Sequence, residues 1–474
     1  MWRKFITQHH LAIVLTVLAA VTYTLLSVVN HFQFHTFGLD LGLYTHALYN
    51  YAHFRPDDGT FYLDHARNLL SDHFDLYLPL LSPLVWLFGT YTLLVVQIAA
   101  VLFGAWGVYR LVGTYGCRWT PLAAMASFLA FFGVWQALAF DYHSNVVAAM
   151  LVPWLMYALR TRRFAWFAML TVLVCLGKET LPLWLAFVML ALMWEYRHDR
   201  ISLRWLAAAM VFCVSYLVVV TQFVMPALSD TTAPGYGRYH YMGDDFGSVA
   251  AWIFAHPLQA LSHFFSDFSS DASGHGLKTE FFFCLLLSGG LLCLLKPHWL
   301  LMLLPLVAPK MLADDTALWG VAYHYNVECA AVVVPAAFIA LSGIRSVRWR
   351  YGLAALSLAL AILTTVYTTS HPQTWIRREN VRLLDARHWR NEHFPCREVR
   401  EVLRRLPSDA AVCASCPLTP HLALRECVYL YPTGLAHRPT LLILTAEDAG
   451  AMDDHPDWQL VDTTAGLHIF TPAP

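Results

Sequence analysis

The hydrophobic and polar positions of this chain vary on the scale of whole membrane spans. Seven apolar stretches, separated by short polar segments, each come close to the ~20 residues that cross the hydrocarbon of a bilayer as a helix. We therefore predict transmembrane helices at residues 11–30, 91–112, 119–138, 144–160, 203–225, 326–344 and 350–370.

Two longer apolar blocks each contain a polar interruption. The block from Phe164 to Trp194 is broken at residues 177–179, and arginines flank both of its ends. Because short loops rich in Lys and Arg stay in the cytoplasm, this block predicts a hairpin of two short helices with both ends inside. The block from Phe281 to Pro309 predicts a second hairpin, which turns on the inside at Lys296 and His298. The half-segments of both hairpins are shorter than an ordinary span.

The basic residues also predict the orientation. Arg3 and Lys4 place the N-terminus inside, and the resulting 11 spans place the C-terminus outside. Counting the apolar segment 76–88 as a further span would export the later arginine-rich loops, so we predict that it lies at the outer membrane interface.

Composition excludes a soluble domain. Hydrophobic residues make up 58% of the 474 positions and charged residues only 13%, with a mean hydropathy of +0.49. The net charge of -1 indicates no class of partner, and the sequence has no basic patch for nucleic acid.

The first predicted outer loop, residues 31–90, begins with an acid between glycines. After Asp40, apolar residues recur at helical spacing from Leu43 to Phe54, so we predict an amphipathic helix that lies on the outer leaflet. At the start of this helix Asp40 has two compatible roles. It can cap the backbone N–H groups, or it can take a proton from an incoming hydroxyl.

Other ionisable and polar groups fall on the same predicted outer face. Charged groups at membrane depth cost free energy, so their clustering on one face indicates a functional site. The alternative is that they are solvated residues at the ends of loops. The set comprises Arg67, Asp72, His73, Asp75, Asp141, His143, Lys178, Glu179, Lys278, Glu280, Lys310, Asp314, Asp315, His324 and Tyr325.

Residues 371–474 are more polar than the rest and predict a small extracytoplasmic α/β domain, preceded by the membrane domain 1–370 with a further outer loop at 226–280. Four of the ten cysteines fall in this tail: Cys396, Cys413, Cys416 and Cys427. An oxidising compartment favours at least one disulfide among them, and a zinc site is the lower-ranked alternative. The other six cysteines are predicted to be packing residues.

Several motifs together resemble a family of bacterial polytopic membrane proteins, a domain of unknown function that is grouped with the GT-C glycosyltransferases. They are "FGLDLGLYTHALYN", "DHFDLYLPLLSPLVWLFGTYTLLVVQ", "DYHSN", "GKETLP", "YHYNVECAAVVVPAAF" and "LPSDAAVCASCPLTPHLALRECVYLYP". The resemblance covers nearly the whole chain. It implies a GT-C-like helical membrane fold with helices parallel to the membrane in the first outer loop.

The resemblance also implies roles for particular residues. Asp40 matches the acid of the first outer loop that acts at the catalytic centre, and Asp141 matches a second acidic position that helps to hold metal or donor. This chain has "DYH" at that second position, where paired acids are commoner.

Chemistry suggests the partners of these acids. Lys178 is the first candidate for binding a donor phosphate, with Arg67 and Lys310 behind it, and an ion pair of Lys178 with Glu179 is the alternative. The candidates for a divalent metal (Mg or Mn) or for positioning the donor are His73, Asp75, Asp141, His143, Glu179, His324 and Tyr325. Ordinary interfacial hydrogen bonding is the alternative for each histidine.

The expected function is a glycosyltransferase of the bacterial inner membrane, with the N-terminus cytoplasmic. Sugar would pass from a polyprenyl-phosphate carrier to a glycan, lipid or protein acceptor outside, with Asp40 as general base. A lipid or solute transporter is one alternative, although the sequence shows no internal repeat. The other alternative is a non-catalytic envelope scaffold, which would tolerate loss of Asp40.

Overall fold

A computed structural model describes residues 2–229, 236–269, 274–370 and 383–474 of the chain. It consists of a helical membrane domain and a small C-terminal domain built on a sheet. The first residues of the predicted tail domain, 371–382, and two parts of the predicted 226–280 loop lie outside the described residues.

The membrane domain is built from helices of very different lengths. Its α-helices are α1 (Trp2–Tyr23), α2 (Val29–Phe32), α3 (Leu43–Ala52), α4 (Tyr77–Leu81), α5 (Val85–Phe88), α6 (Thr92–Gly113), α7 (Thr120–Leu129), α8 (Phe132–Ala139), α9 (Ser144–Ala149), α10 (Val152–Arg160), α11 (Phe164–Cys175), α12 (Leu181–Glu195), α13 (Arg200–Val219), α14 (Met225–Ala227), α15 (Phe246–Ala255), α16 (Pro257–Phe265), α17 (Leu277–Leu285), α18 (Leu291–Cys293), α19 (Leu300–Leu312), α20 (Thr316–Trp319), α21 (Val327–Ser342) and α22 (Val347–Ser370). Four π-helical turns occur in the described parts of this domain, at Thr24–Val28, Gly38–Gly42, Val220–Val224 and Leu286–Gly290. Short 3-10 turns occur at Leu69–Ser71, Ser82–Leu84, Gly89–Tyr91, Tyr236–Tyr239 and Pro297–Trp299.

Five helical stretches in the described residues are long and apolar enough to cross a membrane. They are His9–Phe32, Tyr77–Gly113, Thr120–Ala139, Arg200–Ala227 and Val347–Ser370. Shorter apolar helices lie between them, at Ser144–Arg160, Phe164–Cys175, Leu181–Glu195, Phe246–Ala255, Pro297–Leu312 and Val327–Ser342. The chain is therefore a membrane protein with broken as well as continuous spans.

Both apolar blocks are broken into separate helices at the predicted positions. Helices α11 and α12 are separate and meet at a turn that contains Lys178, and the second block turns between α18 and α19. Glu195, at the end of α12, joins the first block to the turn of the second, because it lies 2.7 Å from Lys296 Nζ and 2.6 Å from His298 Nε2. The polar residues that interrupted the apolar pattern thus form the turns and the link between them.

The apolar segment before α6 is divided into the short helices α4 and α5 rather than forming one span. Gly89 ends the segment with a φ of 57°, a backbone conformation that glycine adopts without strain. Leu80, Trp86 and Leu87 are exposed on its surface, as expected of a segment that rests in lipid at an interface.

The C-terminal domain has the predicted α/β composition. Its elements are α23 (Cys396–Arg405), β1 (Val412–Ala414), α24 (Thr419–Leu422), β2 (Val428–Leu430), β3 (Leu441–Thr445), α25 (Ala446–Ala449), β4 (Trp458–Thr464) and β5 (Leu467–Pro472), with 3-10 turns at Ala386–His388, Thr433–His437 and Gly450–Asp454. The sheet order is β2-β1-β3-β5-β4, in which β1 runs parallel to β2 and β3 while β5 is antiparallel to β3 and β4.

The tail cysteines do not form the expected disulfide. All four remain thiols, because each faces a different part of the structure. Cys396 Sγ lies 3.8 Å from Gln33 O, Cys413 is buried in a core cluster with Leu442 and Leu444, and Cys416 Sγ accepts the Gly38 N–H. The disulfide prediction is therefore wrong for this structure.

The prediction that α3 is an amphipathic helix with one free polar face is also wrong, while its place at the outer leaflet stays a prediction. Polar as well as apolar residues of α3 are buried, including Thr45, His46 and Asn50. The C-terminal domain covers this helix: His46 Nδ1 lies 3.1 Å from Ala423 O, and Leu430 N donates to Phe61 O of the same outer loop at 2.7 Å. Helix α3 is therefore enclosed between the two domains.

Candidate active site

Asp40 lies in the π-helical turn Gly38–Gly42 at the start of α3, and its side chain is 19% exposed. It is not the N-cap of the helix, because Gly42 occupies that position and no side chain caps it. The predicted capping role is therefore wrong, although the position at the helix start is right. The turn leaves the carboxylate of Asp40 partly exposed, although Gly38, Leu41 and Gly42 of the same turn are buried.

The turn that carries Asp40 is fixed from both sides. The Phe37 N–H donates to Asp141 Oδ2 at 2.9 Å, and the Gly38 N–H donates to Cys416 Sγ at 3.3 Å. Asp141 belongs to the second outer loop and Cys416 to the C-terminal domain. Two segments distant in sequence thus set the position of Asp40.

The loop with the "DYH" motif is held by a glutamine of α6. Gln97 Nε2 donates to Asp141 O at 3.0 Å, and Gln97 Oε1 accepts the His143 N–H at 3.0 Å. Gln97 is fully buried. It fixes the backbone on both sides of Tyr142, so that Asp141 and His143 point to different parts of the Asp40 turn.

His143 lies directly beside Asp40. Its Nε2 is 3.5 Å from Asp40 Oδ1, and its ring stacks on His324 with centroids 3.4 Å apart. The Phe140 ring also stacks on both imidazoles, with its centroid 5.3 Å from that of His143 and 5.9 Å from that of His324. Burial lowers the pKa of His143, although Asp40 acts in the opposite direction, and burial together with His143 lowers the pKa of His324 well below its ordinary value.

The turn between α11 and α12 adds an acid to this face. Glu179 Oε2 accepts the Phe74 N–H at 3.0 Å, and its other oxygen lies 3.6 Å from His73 Nδ1. Burial by itself would raise the pKa of Glu179, but the hydrogen bond from His73 and the charge of Lys178 outweigh it and hold the pKa at about 2. Glu179 is therefore an anion at neutral pH.

Asp75 is the second buried acid of this group. Its Oδ1 accepts the Tyr77 N–H at 2.9 Å, which ties the acid to the start of α4. Burial raises the pKa of Asp75 to about 7, while Lys178 counteracts this shift. Asp75 and Glu179 therefore ionise in very different pH ranges although they share one neighbourhood.

Lys178 is central to the charges of this face. Its charge acts on Asp75, Glu179, His143 and His324, so all four lie within electrostatic range of its ammonium. Among the residues that the structure describes, Lys178 makes no ion pair. The side chain is half-buried, which leaves it accessible to an anionic ligand.

The two other candidate cations are placed differently. Lys310 is buried, donates to Tyr325 O at 3.4 Å and to Asn326 Oδ1, and lies over the Phe281 ring. These contacts support the turn before α21. Arg67 donates to Ser71 Oγ at 3.1 Å within the predicted first outer loop.

Sequence reasoning did not find three buried groups of the site. They are Gln97; Glu328, whose Oε1 accepts from Asn145 Nδ2 at 2.6 Å; and Tyr44, whose ring meets His143 edge-on with centroids 6.0 Å apart. Gln97 and Glu328 could have been found in the sequence, because each is a single amide or carboxylate inside an apolar helix. Such groups are costly in a membrane unless they have hydrogen-bond partners.

The candidate metal ligands do not converge. Within the described ranges, no group of three or more His, Cys, Asp or Glu residues is arranged to hold a metal ion. His73 instead faces Glu179, and Asp141 accepts a backbone N–H. These side chains do not fit a metal centre as they stand, and the expected metal ion stays a prediction.

The architecture places the protein in a known class of membrane folds. It is similar to the crystal structures of ArnT from Cupriavidus metallidurans, with a TM-score of 0.58 and 11% identity to the form bound to undecaprenyl phosphate, over 98% of this chain and 99% of that one. The apo form gives a TM-score of 0.55 at 12% identity, over 98% of this chain and 99% of that one. The fold is therefore GT-C-like, as the sequence resemblance implied.

The chain belongs to the family described as "Predicted membrane protein (DUF2079)", whose profile matches residues 30–466. No functionally curated protein matches the sequence. The family assignment confirms the resemblance found in the motifs.

Proposed function

We propose that this protein is a membrane glycosyltransferase that moves a sugar from a polyprenyl-phosphate carrier to an acceptor outside the cytoplasm. The observation that carries the proposal is the placement of Asp40, a partly exposed carboxylate on a turn fixed by both Asp141 and Cys416. A general base must be held in place and must also be reachable by the acceptor.

The carrier is proposed from the fold and the charge of the site. ArnT, which has the same fold, has been crystallised with undecaprenyl phosphate. In this chain Lys178 offers an ammonium without an ion pair in the described part, close to the Asp40 and His143 pair. A phosphate that enters from the membrane would find its counter-charge there.

The proposed reaction uses these groups in one displacement. Asp40 takes the proton from the acceptor hydroxyl, and the hydroxyl oxygen forms a bond to the anomeric carbon of the sugar. The bond from that carbon to the carrier phosphate breaks, and the phosphate leaves with the electron pair, stabilised by Lys178. The acceptor is a glycan, a lipid or a protein that carries a free hydroxyl.

Replacing Asp40 by Asn tests the base. The change keeps the size of the side chain, and transfer by the reconstituted protein from undecaprenyl-phosphate-linked sugars should fall by ~10²-fold or more. The matched control is Asp64→Asn in the same loop, where the side chain is 65% exposed and pairs with His65. Full activity of the Asp40→Asn protein would exclude Asp40 as the base, whereas absence of transfer by the wild-type protein would end the proposal and favour a scaffold.

Replacing Lys178 by Ala tests the phosphate site separately. Hydrogen bonds to charged groups contribute about 1.5–3 kcal/mol, so binding of undecaprenyl phosphate should weaken by roughly 10- to 100-fold. Lys178→Arg keeps the charge and should retain most of the affinity. Unchanged affinity in the Ala protein would exclude Lys178 as the phosphate ligand.

A further inference from the structure

The neighbour of Asp40 is an imidazole, and its surroundings determine what it can do there. The carboxylate of Asp40 only accepts hydrogen bonds when ionised, so the Nε2 atom of His143 that faces it at 3.5 Å must carry the hydrogen. Catalytic hydrogen bonds are often this long before substrate binds, and they tighten in the complex.

The other nitrogen of the ring points into the protein. Nδ1 of His143 is buried and has no hydrogen-bond partner in the described residues, and the same is true of Nδ1 of His324. At such a buried position, an unprotonated nitrogen without a partner costs less free energy than a charged ring. An imidazolium would bury its charge and would also leave the N–H donor at Nδ1 without an acceptor.

Burial decides the charge of this ring. Asp40 by itself would favour the protonated form of His143, but burial outweighs it, and Lys178 and His73 act in the same direction as burial, with His324 stacked on the face of the ring. Two stacked imidazoles at 3.4 Å do not both take a proton, since like charges repel strongly at this distance.

We propose that His143 is a positioning residue for Asp40: as a neutral imidazole with the hydrogen on Nε2, it holds the carboxylate in the orientation that accepts the proton of the acceptor hydroxyl. Gln97 fixes the backbone of His143 and stacking on His324 fixes the ring, so the donor is rigid. This inference rests on the proposed function. It assigns a use to the "DYH" sequence, in which His143 faces Asp40 and Asp141 fixes the turn.

Two substitutions separate the hydrogen bond from the packing. His143→Phe keeps a ring for stacking on His324 but removes the donor, whereas His143→Gln supplies an amide donor of similar reach. We expect kcat of the Phe protein to fall about 10-fold or more, with KM for the lipid donor unchanged. The acid limb of its pH–rate profile should move to higher pH, because a hydrogen bond to a carboxylate favours the ionised form.

The Gln protein should recover much of kcat and return the acid limb towards its normal position. If the Phe protein does not fold, His143→Asn replaces it, because its amide is too short to reach Asp40. Wild-type kcat and an unmoved acid limb in the variant that lacks the donor would overturn the inference.

A spectroscopic measurement tests the inference without any transfer assay. In the protein labelled with ¹⁵N-histidine, the signals lost in His143→Phe should be those of a neutral ring protonated at Nε2. An Nδ1-protonated tautomer or an imidazolium at pH 7 would contradict the inference. Wild-type protein and Asp40→Asn are assayed in parallel: no transfer by the wild type removes the proposed function, full activity of Asp40→Asn removes the base and the role of His143 with it, and a loss in Asp40→Asn beside a fully active His143→Phe protein removes only the role of His143.

Discussion

Adding one methyl group at Gly38 should disturb the contact between the C-terminal domain and the Asp40 turn. A Cβ atom at this position would lie 2.5 Å from Thr419 Oγ1 and 2.7 Å from Leu430 Cδ1, both in the C-terminal domain. The backbone of Gly38 is not in the left-handed region, so the effect of Gly38→Ala is steric rather than conformational. This makes the substitution a direct probe of the contact between the domains.

The expected cost follows from how little the neighbours can move. Thr419 is fully buried and its hydroxyl donates to Cys416 O at 2.9 Å, while Leu430 is buried in the same core cluster as Leu41 and Leu43. Overpacking of this kind costs about 1–3 kcal/mol. The strain is relieved only if the C-terminal domain shifts outward or the Asp40 turn shifts towards the membrane helices.

Thermal unfolding in detergent and amide hydrogen exchange would measure this effect. Gly38→Ala should lower the melting temperature and increase exchange in β2 and α24, which carry the clashing groups. Combining it with Leu430→Ala makes room for the methyl group, so the two changes should cost about 0.5–3 kcal/mol less together than the sum of their separate effects. Gly352→Ala is the control, because nothing lies within 4 Å of its Cβ position in α22.

Two results would refute the reasoning. One is a Gly38→Ala protein as stable and as protected from exchange as the wild type. The other is strict additivity with Leu430→Ala, which would show that the methyl group and the leucine do not meet.

Three other predictions concern stability and topology. Because burial raises the pKa of Asp75 to about 7, this group keeps a proton in the folded protein that it has lost in the unfolded chain above pH ~4; its contribution to stability therefore falls as the pH rises from about 4 to 7, and Asp75→Asn should melt higher than wild type at pH 8 and equally at pH 4. Glu195→Gln should lower the melting temperature because it weakens the link to Lys296 at 2.7 Å, whereas Glu392→Gln, at an exposed pair, should not; equal melting of both would contradict this. A C-terminal alkaline phosphatase fusion should be active and a cytoplasmic fluorescent reporter dark, and the opposite result would reverse the predicted orientation.

The sequence alone predicted the features that depend on local pattern. Long apolar stretches gave the spans, and the polar interruptions at Lys178 and Lys296 gave the two hairpin turns. Short runs rich in apolar residues in the tail indicated the strands at Leu441–Thr445 and Leu467–Pro472. These features could be predicted because a helix in lipid must form its backbone hydrogen bonds internally, and because successive side chains of a strand point to opposite faces of the sheet.

Only the tertiary structure decided which surfaces cover one another. Helix α3 carries an amphipathic pattern, yet both its faces are buried because Ala423, 377 residues away from His46, belongs to a domain that closes over it. Packing of distant segments also brings His143 beside Asp40, 103 positions earlier in the chain. Periodicity reports how one segment divides its own faces between apolar and polar surroundings, whereas the identity of the neighbour depends on how distant segments pack.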